Sequence, residues 1–285
     1  MKINSISPDE AIFLQIISGI ADMPKKVYYI GSLPLQRSPV VAIVGTRKPT
    51  SYGKEVTFKL AYDLAKKGVI IVSGLALGVD AIAHKAALEA GGTTIAVLAN
   101  GLDHVYPATN QRLANDILKS GGAIISEYPP GTPARDFQFL ARNRIVSGIA
   151  DAVIVTEAAS RSGTLATVAH ALSQNREVFA VPGAITSPMS VGPNRLIQQG
   201  AHPMLDARDV LQVIAPHLVT AQTTLNLGSN PMEIVVIDLL LKGIRHGEQL
   251  QQQSGLSASD FSQTLTMLEI GGLIRGLGGN QWTTT

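Results

Sequence analysis

Apolar residues in this chain come in short unbroken runs separated by longer amphipathic stretches. The runs are VVAIV (40–44), VIIV (69–72), TIAVLA (94–99), AII (123–125), AVIV (152–155) and VFAV (178–181). Runs of this length, bounded by glycine or polar turns, read as strands buried on both faces. Between them, residues 52–67, 79–90, 109–119, 139–147 and 164–174 have helical length and spacing. Strand-like runs alternating with helices predict a mostly parallel, doubly wound α/β sheet. Ahead of it, residues 1–37 read as a short extension, with a helix over 8–20 and an extended VYYIG segment (27–31), and Pro34 and Pro39 close it. A helix over 206–214 ends the core, whose domain spans 38–219.

Residues 220–230, TAQTTLNLGSN, are polar and uncharged, which marks a linker. Over 231–285 the pattern changes to one apolar helix, a helix, glycine turn and second helix, and a two-stranded tail. That succession predicts a small winged-helix domain.

Each core run ends in small or polar residues: Gly45-Thr46-Arg47, Ser73-Gly74, Asn100-Gly101, Ser126-Glu127, the segment 157–163, and Pro182-Gly183. Parallel strands point one way, so these turns gather on the sheet edge where ligands of open α/β folds bind. Arg47, Arg142, Arg144 and Arg161 can share one basic pocket there. Gly45 allows close backbone approach, Thr46 offers a hydroxyl, and the planar cation of Arg47 suits two phosphate oxygens. The same turn also reads as a plain reversal with Arg47 paired to a surface carboxylate, and the loop alone does not separate the two.

Composition narrows the classes. Twenty-three Lys and Arg stand against 21 Asp and Glu, a formal charge of only +2, so a nucleic-acid site has to come from local clustering. The absence of cysteine removes disulfides, thiolate nucleophiles and cysteine zinc sites, and fits a reducing compartment. The first residues lack a basic start with an uninterrupted apolar core, and no later segment approaches a membrane span. The expectation is a soluble, cytoplasmic protein with no membrane partner. The six histidines are scattered without ligand spacing, so no metal and no cofactor are expected.

The densest stretch is 126–163, SEYPPGTPARDFQFLARNRIVSGIADAVIVTEAASRSG. Phe137 and Phe139 precede an Arg142-Asn143-Arg144 triplet. Guanidinium groups beside an aromatic suit single-stranded nucleic acid, with charge for phosphates and a flat face for a base. Alternatively the phenylalanines anchor the loop and the arginines bind Asp136 or Glu157. Enzyme signatures are missing: there is no Walker loop, G-x-G-x-x-G, H-E-x-x-H or G-x-S-x-G. No catalytic residue is therefore assigned. Glu157 with Ser162-Gly163-Thr164 is a faint version of a nucleotide-processing turn, so a nucleotide-processing or nucleotide-sensing enzyme stands as the alternative.

The motifs VGTRKPTSYG, VSGLALGVDAIAH, SEYPPGTP, RNRIVSGIADAVIVTEA, RSGTL, EVFAVPG and GPNRLIQQGA, in this order over about 39–211, resemble the DNA-processing protein A family. The resemblance implies an extended Rossmann-like core that binds single-stranded DNA, protects incoming DNA and helps load the RecA recombinase in natural transformation. It also implies a homodimer. Gly45, Thr46 and Arg47 match the family's phosphate loop, Ser73 and Gly74 its second backbone cradle, and Arg142, Asn143 and Arg144 its triplet. Ser162 and Gly163 join the phosphate-binding candidates, and Phe139 is the candidate for base stacking. Members often begin with a helical domain that the 1–37 segment does not supply, and Ala141 stands where a basic residue would add a contact.

The tail departs from a duplex reader. From 229 onward three cations, Lys242, Arg245 and Arg275, face five carboxylates, and the expected recognition helix, 257–270, holds no Lys or Arg. Groove-docking helices need phosphate-binding cations. A protein-interaction or regulatory role is expected instead.

Overall fold

The structure, a computed structural model, describes residues 2–220 and 230–284. They fall into two compact units, Met1–Val219 and Thr220–Thr285. The first is a nine-stranded sheet with helices on both faces. Its elements are β1 (Asn4–Ile6), β2 (Val27–Gly31), β3 (Val40–Val44), α1 (Ser51–Lys66), β4 (Ile70–Ser73), α2 (Val79–Glu89), β5 (Thr94–Leu98), α3 (Gln111–Lys119) and β6 (Ala123–Ser126). There follow α4 (Asp136–Ile149), β7 (Ala152–Val155), α5 (Thr164–Ser173), β8 (Glu177–Ala180), α6 (Val191–Gln198), β9 (His202–Pro203), α7 (Ala207–Ile214) and α8 (Pro216–Thr220).

The strand order β1-β2-β6-β5-β4-β3-β7-β8-β9 places the chain reversal beside β3. From β3 the chain winds outward through β4, β5 and β6, then crosses back through α4 to β7 on the other flank of β3. All pairings from β6 to β9 are parallel, whereas β2 joins β6 antiparallel and β1 joins β2 antiparallel. The loops after β3 and β7 part at this switch point and open a crevice at their carboxyl ends.

Alternation along β3 explains why its five residues are all apolar. Val40, Ala42 and Val44 face one core with Ile145 and Val146 of α4 and Val168 of α5. Val41 and Ile43 face the other, with Leu60 and Leu64 of α1 and Ala83 of α2. A strand covered on both faces needs apolar residues at both phases of its pleat.

The first 37 residues differ from the expected extension. VYYIG is the sheet strand β2, and Phe13, Leu14 and Ile17 are fully buried in the core that α4 covers. The helix expected over 8–20 is two 3-10 turns, Pro8–Glu10 and Gln15–Gly19. Ile16, Ile17 and Gly19 favour helix weakly, and burial of the three large side chains dominates. The linker expected at 220–230 lies, apart from its ends, outside the described residues.

The second unit has α9 (Pro231–Leu241), α10 (Gly247–Ser254), α11 (Ala258–Ile270) and the antiparallel pair β10 (Ile274–Gly278) and β11 (Gln281–Thr284). Gly255 at φ 68° ends α10, and Ser257 caps α11 by accepting from the Asp260 N–H. Val236, Ile237, Leu240, Leu250, Phe261, Leu265, Leu268 and Ile274 form its core. This is a winged helix. Among the described residues no helix is long and apolar enough to cross a membrane.

Candidate nucleic-acid interface

The turn after β3 is held from both sides. The Thr46 N–H donates to the Glu157 carbonyl at 2.7 Å, and the Thr46 carbonyl accepts from the Val79 N–H at 3.2 Å. Gly45 fits because a Cβ there would lie 2.7 Å from Val79 Cγ2 and 2.9 Å from the Glu157 carbonyl. Glu157, almost wholly buried, accepts from the Thr50 N–H at 2.9 Å and the Thr50 hydroxyl at 2.6 Å. Its carboxylate thus fastens the start of α1 to the loop after β7. It acts as a structural clamp and is not among the residues lining the crevice.

The loop after β4 is held under strain. Leu75, fully buried, has φ 55°, a conformation that bulky side chains rarely adopt. Two polar side chains secure it. Asp80, in the first turn of α2, accepts from the Gly74 N–H at 3.0 Å and the Ala76 N–H at 3.3 Å, while Asn110 donates to the Leu75 and Ala76 carbonyls. Ser73 lies inside, fully buried, with its hydroxyl donating to the Ile43 carbonyl at 2.6 Å. It ties β4 to β3 and does not reach the crevice.

The Arg142-Asn143-Arg144 triplet lies on α4, where residues two apart point to different sides. Arg142 is buried beneath the rim, with Nη1 donating to the Gly74 carbonyl at 2.8 Å and to the Val97 carbonyl. Burial lowers its pKa from the ordinary value, and the neighbouring Asp80 opposes that shift. Burial likewise pushes the Asp80 carboxyl up, and Arg142 draws it back. Arg144 points elsewhere. It forms a two-pronged pair with Glu127 at 2.7 and 2.6 Å and donates to the Asp22 and Ala141 carbonyls. Only Arg142 and Asn143 of the triplet line the crevice.

Phe139 stands one turn before Asn143, half-buried, with Arg47 over its ring 5.6 Å from the centroid. Tyr106 meets the same ring at 5.4 Å with a 48° tilt. Phe137, two residues away on the same helix, is 62% exposed and lines no part of the crevice. The second wall comes from the loop after β7. Ser162, Gly163 and Thr164 open α5, and Arg161 stands exposed beside them. The Ser162 hydroxyl accepts from the Thr164 N–H at 3.2 Å. The Thr164, Leu165 and Ala166 N–H groups are bonded to Ser162 and Gly163, so what the start of α5 offers an anion is chiefly the positive end of its dipole.

The resulting cavity is about 370 Å³ and brings together Gly45, Thr46, Arg47, Phe139, Arg142, Asn143, Arg161, Ser162 and Gly163. Gly74 borders a smaller apolar depression beside it, with Leu77, Tyr106 and Phe139. Ser73 and Arg144 stay outside both. Sequence reasoning missed Asp80 and Asn110. Asp80 carried a signal, an acidic residue in the first turn after a glycine-rich loop. Asn110 carried none, because its partners lie 35 and 34 residues away.

Residues 4–215 match the family model described as DNA recombination-mediator protein A, and residues 220–280 match that of the DprA winged helix domain. The DNA processing protein DprA of Bacillus subtilis is 43% identical over 197 residues, which cover 69% of this chain and 66% of that protein. Protein Smf of Escherichia coli is 42% identical over 207 residues, 73% of this chain and 55% of that protein. The chain thus spans between about half and two thirds of these relatives. Among solved structures, DNA processing protein A of Streptococcus pneumoniae aligns with a TM-score of 0.70 at 41% identity, covering 75% of each chain. That of Helicobacter pylori, described for its single-stranded DNA binding mode, aligns with a TM-score of 0.66 at 32% identity over 76% of this chain and 97% of that one. The chain belongs to the DNA recombination-mediator protein A family.

Proposed function

We propose that this chain binds single-stranded DNA in the switch-point cavity, without catalysis, and so serves as a DNA-protecting recombination mediator. The observation that carries the reading is Arg47 over the ring of Phe139, which puts a phosphate-binding cation and a base-sized flat face in one place. Phosphates would rest on Thr46, Arg47, Arg161 and the opening of α5 at Ser162–Gly163, and one base would stack on Phe139. Stacking contributes about 1–3 kcal/mol per base and tolerates any sequence. The clamped turns fix the walls of the cavity in advance, which lowers the ordering cost of binding. The binding described for the Helicobacter pylori relative supports the assignment.

Arg142 and Ser73 enter this reading as supports of the cradle and Arg144 as a brace to Glu127. Delivery of the strand to RecA and action as a homodimer in the cytoplasm complete the proposal, as in natural transformation. In it, residues 1–219 form the DNA-binding unit, 220–230 the linker, and 231–285 a protein-interaction module.

The test is competition. A labelled single strand bound to the intact protein should be displaced by unlabelled single strand of any sequence far better than by duplex or free nucleotide. Displacement by free nucleotide at equal concentration would overturn the reading.

A further inference from the structure

The rim continues beyond the cavity. Asn110 joins the loop after β4 to the start of α3 through its bonds to the Leu75 carbonyl at 2.9 Å and the Ala76 carbonyl at 3.3 Å. Ala76 lines the main cavity with Arg47 and Phe139. The neighbouring depression is walled by Leu77, Tyr106, Pro107 and the same Phe139. Past Asn110, an open groove of about 740 Å³ lies between α2 and α3. The first two hollows share Arg47, Ala76 and Phe139, and the groove begins at Thr109 and Asn110, two residues on from Pro107.

The charge in the groove is unspent. Lys85, Arg112 and Lys119 line it, with Glu89 and Asp116 as the counter-charges, and all three cations are exposed. Among the described residues, none of these five groups closes an ion pair. The helical spacing invites Lys85–Glu89 and Arg112–Asp116 pairs, but in each the cation precedes the carboxylate, the weaker of the two orders. Exposed, separated cations hold a compact anion poorly. A chain of phosphates gains from each of them in turn by counterion release. The groove follows α3, nine residues long and hence about 13 Å.

We infer that single-stranded DNA leaving the cavity passes over Tyr106 and Pro107 and sets its next phosphates on Lys85, Arg112 and Lys119 in the α2–α3 groove. This rests on the cavity being the single-strand site. Glu89 and Asp116 temper the groove, which makes it an auxiliary, salt-sensitive contact.

The test uses the intact protein and labelled oligothymidylates of about 4 and about 15 nucleotides, lengths near the two ends of single-strand site sizes. Fluorescence anisotropy over a salt series compares the wild type with the Lys85→Gln/Arg112→Gln double variant. The variant should bind the short strand as the wild type does and the long strand roughly tenfold more weakly at low salt. Its log–log salt slope on the long strand should be shallower by about 1.4, two phosphates at about 0.7 each. An unchanged long-strand affinity and slope, or an equal loss on both lengths, overturns the groove and leaves the cavity standing. Wild-type protein that binds neither strand overturns the cavity reading, and the groove with it.

Discussion

Arg142 occupies the space that a side chain at Gly74 would need: a Cβ there would lie 2.5 Å from both terminal guanidinium nitrogens. The guanidinium is a buried strut between the carboxyl ends of β4 and β5, and Asp80 is its counter-charge. Asp80 acts on it as a neighbouring charge and not through a direct ion pair, and removing either group leaves the other's buried charge uncompensated. Arg142→Met should therefore destabilise the protein by about 3–5 kcal/mol in urea unfolding. The Asp80→Asn/Arg142→Met double variant should lose less than the sum of the two single variants. Additive losses would show that the two residues act independently.

Arg144 and Arg47 separate bracing from binding. The Arg144 side chain is 12% exposed and meets Glu127 at 2.6 Å, whereas Arg47 is exposed at the cavity mouth. Arg144→Ala should lower stability by about 1–3 kcal/mol, the cost of stranding a partly buried carboxylate, and leave the salt slope of DNA binding unchanged. A flattened slope in that variant would place Arg144 on a phosphate.

Much of this was legible in the order of residues. The run VVAIV ending in Gly45-Thr46-Arg47 marked both a doubly covered strand and the turn at its end, because a strand's phase and a glycine stop are local signals. The triplet was harder. Which of Arg142 and Arg144 faces the rim depends on the phase of α4, which begins at Asp136 rather than near 139. The Asn110 anchor and the burial of Phe13, Leu14 and Ile17 are products of packing between distant segments, and periodicity carries no trace of them.

Glu157 makes a prediction about a glycine. A Cβ on Gly53 would collide with the Glu157 carboxylate, which is fixed by Thr50. Alanine in a helix normally gains about 1 kcal/mol over glycine. Gly53→Ala should nevertheless destabilise by about 1–3 kcal/mol, since an overpacked site strains its neighbours. A gain in the urea midpoint would show that the clamp is slack.

His84 governs part of the acid response. It is fully buried with Nδ1 2.7 Å from the Thr94 hydroxyl, and burial, aided by the charge of Arg142, pushes its pKa from 6.5 down to about 3. Below 6.5 the unfolded chain takes up this proton more readily than the folded one, so stability falls as pH drops toward 3. The contribution is at most about 1.4 kcal/mol per pH unit. His84→Gln should remove that part of the slope, as read from urea midpoints between pH 6.5 and 4. An identical slope in the variant would mean that the ring takes its proton without unfolding.

Arg47 is the proposed hold of the switch-point cavity on a DNA backbone. Fluorescence anisotropy with a labelled single strand over a salt series, for wild type and Arg47→Ala, tests it most directly. Binding of every single-stranded sequence should be salt-sensitive and weakened in the variant, with a log–log salt slope shallower by about 0.7. An absence of single-strand binding at low salt, or an Arg47→Ala protein with the affinity and slope of the wild type, would contradict it.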